Sequence, residues 1–335
     1  MYLKINENTK FSKVEQIVNA FVSEIDCGRM ENGARLPSIN QFSSKNNVGR
    51  DTIEKAYNKL KKRGYIASYA GRGYFVLRKK TDELRVLLIF NKLSSFKKII
   101  YESLVEVLGP AAKVDLQMHH YDPRVLREII EANLGKYDYY LIMPHFFWHS
   151  EVEEYKKIIR MVPSHELILI DKDIGQLRSP HKAVFQDFKS DIYRALQSLS
   201  SSIKKYQSVT LVFPPNIHHP KEIIEGTELF CSKKQLPFRM IDRIQNEKLC
   251  RGNIYIITEE DDLAILLKYI RTSDLEIGKD IGIISFNETI FKELLDITVI
   301  TTDFQQMGRT AASLILKEEC VQVRNPFNVI KRGSL

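Results

Sequence analysis

Three sets of side chains in this chain have types and spacing suited to chemistry. The first is Arg50, Asp51 and Thr52, at the head of an amphipathic run. An arginine can donate bidentately to guanine, and a threonine can meet a thymine methyl or a phosphate oxygen. Asp51 can accept from a cytosine amine or complement the positive end of a helix. The second is Arg72 in YAGRGY, whose glycines permit a tight turn. The third set follows short apolar runs: Asn91, His145, Phe147, Trp148, Asp171, Lys172, Asp187, Phe188, His219, Glu260, Asn287 and Glu288. Hydrogen-bonding groups interleaved with aromatics suit a sugar, whose hydroxyls need paired bonds and whose C–H faces stack on rings.

No catalytic signature accompanies them. There is no G-x-S-x-G elbow, no G-x-x-x-x-G-K-[ST] phosphate loop and no G-x-G-x-x-G after the first β-rich run. The GRG at 71–73 precedes a strand pattern, not a helix, so it is not a nucleotide loop. Among eight histidines, His119-His120 and His218-His219 are adjacent pairs. Neighbours on a strand point to opposite faces, which makes His119-His120 a poor chelate. The four cysteines form no C-x-x-C pair and read as reduced, mostly buried small hydrophobes. Catalysis, a metal and a cofactor are therefore not expected.

Arg50 requires a small helical scaffold. Phe11, Val14, Ile17, Val18, Phe21 and Ile25 recur at three- and four-residue spacing, which predicts a helix from Thr9 to Cys27, broken by Gly28 and Gly33. Ser38 with Gln41 three residues on is a capping-box pair, and Pro37 fixes the entry to a short helix over 38–46. Asn46-Asn47 supplies a turn, and Ile53, Ala56, Tyr57 and Leu60 are the inward stripe of a third helix over 50–63. Such a helix-turn-helix offers the first residues of its second helix to the major groove. Strands over 65–68 and 74–77 then form a wing with Arg72 at its tip. Charge agrees: residues 1–80 hold 16 Lys+Arg against 7 Asp+Glu, or +9, and the remaining 34 against 35 leave −1. A basic unit joined to a neutral one marks a polyanion-binding head on a body with another task.

The chain of 335 residues is too long for one ordinary core. A charged connector over 78–83 separates a domain over 1–77 from another over 84–335. In the second, β-rich runs at 84–90, 114–118, 139–143, 166–170, 182–185, 209–213, 253–258, 281–286 and 298–302 alternate with helical stretches. This rhythm predicts parallel sheets with right-handed crossovers, and ten or more strands suit two doubly wound lobes. Ligands of such folds sit beyond the carboxyl ends of the strands, where the third set of side chains lies.

The order LPS…V-x-R-x-T…AY..L..+GYI…GRGYFV over residues 9–77 resembles the winged helix of the GntR family of bacterial regulators. The resemblance implies DNA contacts from Asn40, two residues beyond Ser38, from Arg50 and Thr52, and from the wing glycine Gly71. Arg35, Ser38, Asp51 and Arg72 belong to the same expected interface. Asn40 stands where the family usually has Arg, and Gly49 where it usually has Ser. The segment DIGIISFNETIFKELLDITVITTDFQQMGRTAASLILKE…VIKRGSL resembles the C-terminal part of lactose-repressor-type sensor domains, which share the periplasmic sugar-binding (type I) fold. There an acid bonds a sugar hydroxyl where this chain has Asn287, and an aromatic corresponding to Phe304 lines the pocket. Ile223 occupies the family's usual Arg position, ahead of Gly226, so Lys221 or His219 would supply that donor. A head of the first kind on a sensor of the second resembles the arabinose-repressor type of regulator, which implies a homodimer whose geometry a monosaccharide changes.

The expectation is thus an α/β protein, an N-terminal winged helix-turn-helix plus a two-lobed sensor, that represses transcription from double-stranded operator DNA. No window approaches eighteen apolar residues and the N-terminus has no secretory stretch, so the chain reads as cytoplasmic, with no membrane partner. Two other readings remain open. One is a GntR-type regulator of a non-sugar metabolite. The other is a pyridoxal-phosphate aminotransferase-like body, for which about 255 residues are few and no lysine stands out. A sugar-binding protein without a regulatory role would leave the confined basic charge unexplained.

Overall fold

The computed structural model describes residues 11–26, 29–31, 33–77, 84–134, 136–175, 177, 180–215, 219–317 and 320–335. Thr9, Cys27, Gly28, His218 and the expected connector over 78–83 lie outside the described residues. The chain divides into two compact units. One comprises residues 1–87, 110–115 and 128–140; the other comprises 88–109, 116–127 and 141–335.

Three helices, α1 (Lys13–Asp26), α2 (Ile39–Asn46) and α3 (Arg50–Lys62), precede two strands, β1 (Ile66–Tyr69) and β2 (Gly73–Val76). The apolar stripe of α1 closes on that of α3 through Ile17, Phe21, Ile53 and Tyr57, all fully buried. Phe21 packs at a tilt on Phe42, ring centres 5.1 Å apart, and meets Tyr57 edge-on at 5.5 Å, while the Tyr57 hydroxyl donates to the Pro37 carbonyl at 2.8 Å. That bond ties the entry of α2 to the middle of α3. The capping box is formed in full: Gln41 N–H donates to Ser38 Oγ, and Ser38 N–H to Gln41 Oε1. Asn47 ends α2 in the left-handed region, φ 52°.

The first six-stranded sheet draws on β3 (Leu84–Phe90), β4 (Ala112–Met118), β5 (Tyr139–Ile142), β6 (Leu167–Asp171) and β7 (Lys182–Phe185). Helices α4 (Ser95–Leu108), α5 (Pro123–Asn133) and α6 (Val152–Ile159) connect these strands. The chain continues through α7 (Phe188–Ser198), α8 (Ser200–Ile203), β8 (Ser208–Val212), α9 (Glu222–Lys234), β9 (Phe238–Ile241) and β10 (Asn253–Ile257). It ends with α10 (Glu260–Arg271), β11 (Ile281–Phe286), α11 (Ile290–Leu294), β12 (Thr298–Thr302), α12 (Phe304–Leu316), β13 (Gln322–Arg324) and β14 (Phe327–Ile330). The sheet orders are β13-β7-β6-β5-β3-β4 and β14-β12-β11-β10-β8-β9. In the second sheet β10 lies parallel between β8 and β11, and all six residues of β11 are buried, as expected of a strand covered on both faces.

Between the lobes the chain crosses at 186–187, at 303 and at 325–326. The crossings are bonded to one another: Asn325 N–H donates to the Phe185 carbonyl at 2.8 Å and Asp303 N–H to the Pro326 carbonyl at 3.1 Å. Thr302 Oγ1 donates to Gln186 Oε1 at 2.7 Å. Helix α12 packs on α4, and Gly308 makes the close approach possible, because a Cβ there would meet the Ile100 carbonyl and lie 2.9 Å from Ser103 Cβ.

Three expectations need correction. Strands β9, β13 and β14 are additional to the apolar runs. β14 runs antiparallel to β12, with Val299 opposite Ile330, because it starts beside Asp303, where β12 ends. Of the described cysteines only Cys231 is buried, where burial pushes its thiol up to about 12; Cys250 and Cys320 are exposed. Among the described residues no helix is long and apolar enough to cross a membrane.

Candidate ligand cleft and nucleic-acid interface

On the helical head, Arg50 and Asp51 are exposed at the start of α3 and Thr52 is half-buried behind them. Gly49 caps this helix without a side-chain bond. Asn40 is exposed in the first turn of α2, and Ser38 is committed to its cap. The wing turn carries Gly71 at φ 72° and Arg72, both exposed. Arg35 bridges Phe75 through its backbone, and its guanidinium lies against Gly73, 3.5 Å from where a Cβ would stand. Among the described residues Arg35, Arg50 and Arg72 have no ion-pair partner, and all three are exposed.

A cavity of about 310 Å³ lies wholly within the second compact unit, at the carboxyl ends of the strands of both sheets. Asn91 follows β3, Asp171 ends β6, Gln186 follows β7, Thr258 and Glu259 follow β10, Asn287 follows β11 and Thr302 ends β12. Asp171 (φ 72°) and Asn287 (φ 62°) turn the chain out of the sheet in the left-handed region, which short polar side chains tolerate. Tyr121 adopts φ 62° as well, a strained setting for an aromatic, held by the Phe147 N–H donating to its carbonyl at 3.0 Å. Phe96 stacks on Phe304 at 4.9 Å, and Phe188, Phe286 and Phe327 complete the aromatic lining.

The polar groups are held in place by buried partners. Asp171 accepts from His145 Nε2 at 2.7 Å and from Gln186 Nε2. Burial alone would raise its carboxyl, but the bond and charge of His145, with Lys97 and Gln186, hold it down at about 2. His219 Nε2 bonds Glu259 at 2.6 Å, which outweighs burial and lowers the Glu259 carboxyl. Lys292, almost fully buried, donates to the Phe286 and Asn287 carbonyls at 2.7 and 2.9 Å and fixes the backbone beneath the Asn287 amide. Desolvation pulls its ammonium below the ordinary value, partly offset by Glu260. Burial raises the Tyr121 phenol to about 12. The arrangement offers fixed donors, acceptors and ring faces to a small ligand.

Of the sequence-predicted ligand residues, the cavity brings together Asn91, His145, Asp171, Phe188, His219, Glu260, Asn287 and Phe304. Six others stand apart with other partners. Asp187 caps α7 through Ser190 N–H, Lys172 pairs with Glu222 at 2.6 Å, and Glu288 pairs with Arg332 at 2.8 Å. Lys221 lies 4.9 Å over the Trp148 ring, and Trp148 Nε1 donates to the His219 carbonyl at 3.0 Å. Phe147 stacks on His149 at 5.4 Å. Ile223 itself lines the cavity. Residues outside the expectation include Lys92, Lys97, Tyr121, Gln186 and Lys292. Gln186 could have been found, since it directly follows KAVF, and so could Lys92, next to Asn91 after the first run; Lys97 and Lys292 lie in the first turns of helices that strand reading does not reach.

Residues 13–76 match the gntR family of bacterial regulatory proteins. An uncharacterized HTH-type transcriptional regulator of Bacillus subtilis is 37% identical over 71 residues, 21% of this chain, and the match spans 15% of that relative's length. The arabinose metabolism transcriptional repressor of Geobacillus stearothermophilus is 21% identical over 346 residues, covering 91% of this chain and 90% of that one. Among solved structures, the trehalose repressor of Escherichia coli covers 74% of this chain and 99% of its own at a TM-score of 0.60 and 15% identity. Residues 13–76 thus form a GntR-type helix-turn-helix segment, and the two six-stranded sheets carry the two-lobed fold of lactose-repressor-type structures.

Proposed function

We propose that this protein is a transcription repressor that grips operator DNA through α3 and the wing and releases it when a monosaccharide-class ligand occupies the cleft. The observation that carries this reading is the cavity at the carboxyl ends of both sheets, walled by aromatics and fixed polar groups and bordered by three bonded crossings. A ligand that touches both lobes favours one hinge angle, and linkage converts that preference into a change in DNA affinity. The protein acts in the cytoplasm as a homodimer, matching half-sites one helical turn or a multiple apart. Ile290 and Phe291 (each 74% exposed) and Leu294 (75%) put an apolar face on α11 suited to that pairing.

Retardation of operator fragments on a gel, with and without monosaccharides and across a salt series, tests the reading. Binding should weaken steeply with salt and fall on addition of the cognate sugar. A ligand at a hundred times its Kd should also stabilise the native state by about 2.7 kcal/mol. Retention of DNA that no small molecule alters would contradict it.

A further inference from the structure

Most charged groups lining the cleft have a direct partner or sit at a helix end that suits their charge, and two do not. Asp171 is occupied by His145 and Gln186, Glu259 by His219, and Glu260 faces Lys292 at 3.5 Å. Asp261 is exposed in the first turn of α10, where it complements the helix dipole. Two lysines between the end of β3 and the first turn of α4, Lys92 and Lys97, are half-buried and line the cavity. Among the described residues neither ammonium has an ion-pair or hydrogen-bond partner, although Asp171 and Glu259 act on them through space. They are near enough for Lys92 to oppose protonation of Lys97, which desolvation already disfavours. The N-terminus of α4, with no acid in its first turn, adds positive potential beside them. Next to Lys92, Asn91 is 4% exposed and its Oδ1 has no hydrogen-bond partner. A buried acceptor left unpaired is unfavourable, and a donor hydroxyl would satisfy it.

We propose that the ligand of this cleft is an anionic polyol, a sugar bearing a phosphate or a carboxylate, with its anion between Lys92 and Lys97 and a hydroxyl donating to Asn91. The proposal rests on the reading of the cleft as the sensor's ligand site and narrows its ligand. A neutral sugar would leave both ammonium groups without a direct partner. An anion neutralises both and gains charge-assisted bonds, for which lysine is a regular phosphate partner.

The test titrates the full-length protein calorimetrically with inorganic phosphate and with two matched sets: glucose, glucose 6-phosphate and gluconate; ribose, ribose 5-phosphate and ribonate. Phosphate, and at least one anionic member of the sets, should bind the natural protein. Affinity should fall at least tenfold in Lys92→Met/Lys97→Met, and Lys97→Arg should retain most of it. The ester and acid arms separate the two anion sources, and melting curves of the variants confirm folding. Phosphate that fails to bind, or that binds natural and double-variant protein equally, overturns the proposal. So does a neutral sugar whose affinity the double variant leaves within twofold. Retardation of DNA in parallel reports on the regulatory reading alone: lysine-dependent anion binding without any change in DNA retention sinks that reading and spares this one.

Discussion

Arg50 stands exposed at the first turn of α3, and among the described residues it forms no ion pair. Arg50→Ala should cost about 1 to 3 kcal/mol of specific DNA binding, measured by gel retardation, and leave ligand affinity unchanged. His119 gives a second test. It is fully buried, its Nε2–H donates to the Met143 carbonyl at 3.0 Å, and desolvation pulls the imidazole down to about 4. Between the ordinary value of about 6.5 and about 4, the unfolded chain therefore takes up a proton that the native chain refuses. Stability should fall as pH drops through that window, by on the order of 3 kcal/mol, and level off below it. Urea denaturation against pH measures this, and His119→Gln should flatten the slope. Several cleft residues were legible because they end β-rich runs: Asn91, Asp171 and Asn287 are read from position alone. Asp187 shared that position yet serves as a helix cap, which the Ser190 three residues on already hinted. Lys92, next to Asn91, was within reach of the same rule; Lys97 was illegible, because a lysine in the first turn of a helix looks solvated until its neighbours in space are known.

Among the elements, the α4 and α12 contact is set by one missing methyl. Gly308→Ala would drive a Cβ into the Ile100 carbonyl and against Ser103, neither of them the end of a flexible side chain. Such overpacking should destabilise by about 1 to 3 kcal/mol in thermal or urea unfolding, with the fold retained. Strands with long apolar runs, such as β3, β11 and β12, could be read to the residue, since burial on both faces demands continuous hydrophobicity. β9, β13 and β14 could not. FRMI is only partly buried, and QVR and FNVI are too short for any period to show; they are strands because neighbouring edges need partners.

For the whole molecule, the apolar face of α11 has a measurable consequence. If the proposed homodimer pairs through this face, Phe291→Glu should leave monomers at micromolar concentration in analytical ultracentrifugation and weaken operator binding, since two linked heads bind far better than one. The same variant should bind small ligands normally, since Phe291 lies outside the cleft lining.

The triple passage of the chain between the lobes reaches beyond hinging. Neither lobe is a continuous stretch of sequence, so no truncation can isolate one of them, and a cut at 186–187, 303 or 325–326 would still leave two covalent tethers. Exchanging one lobe with another protein would need three simultaneous splices through mutually bonded joints. The halves of the cleft are consequently inherited as one piece, and new specificity must come from side chains along its walls.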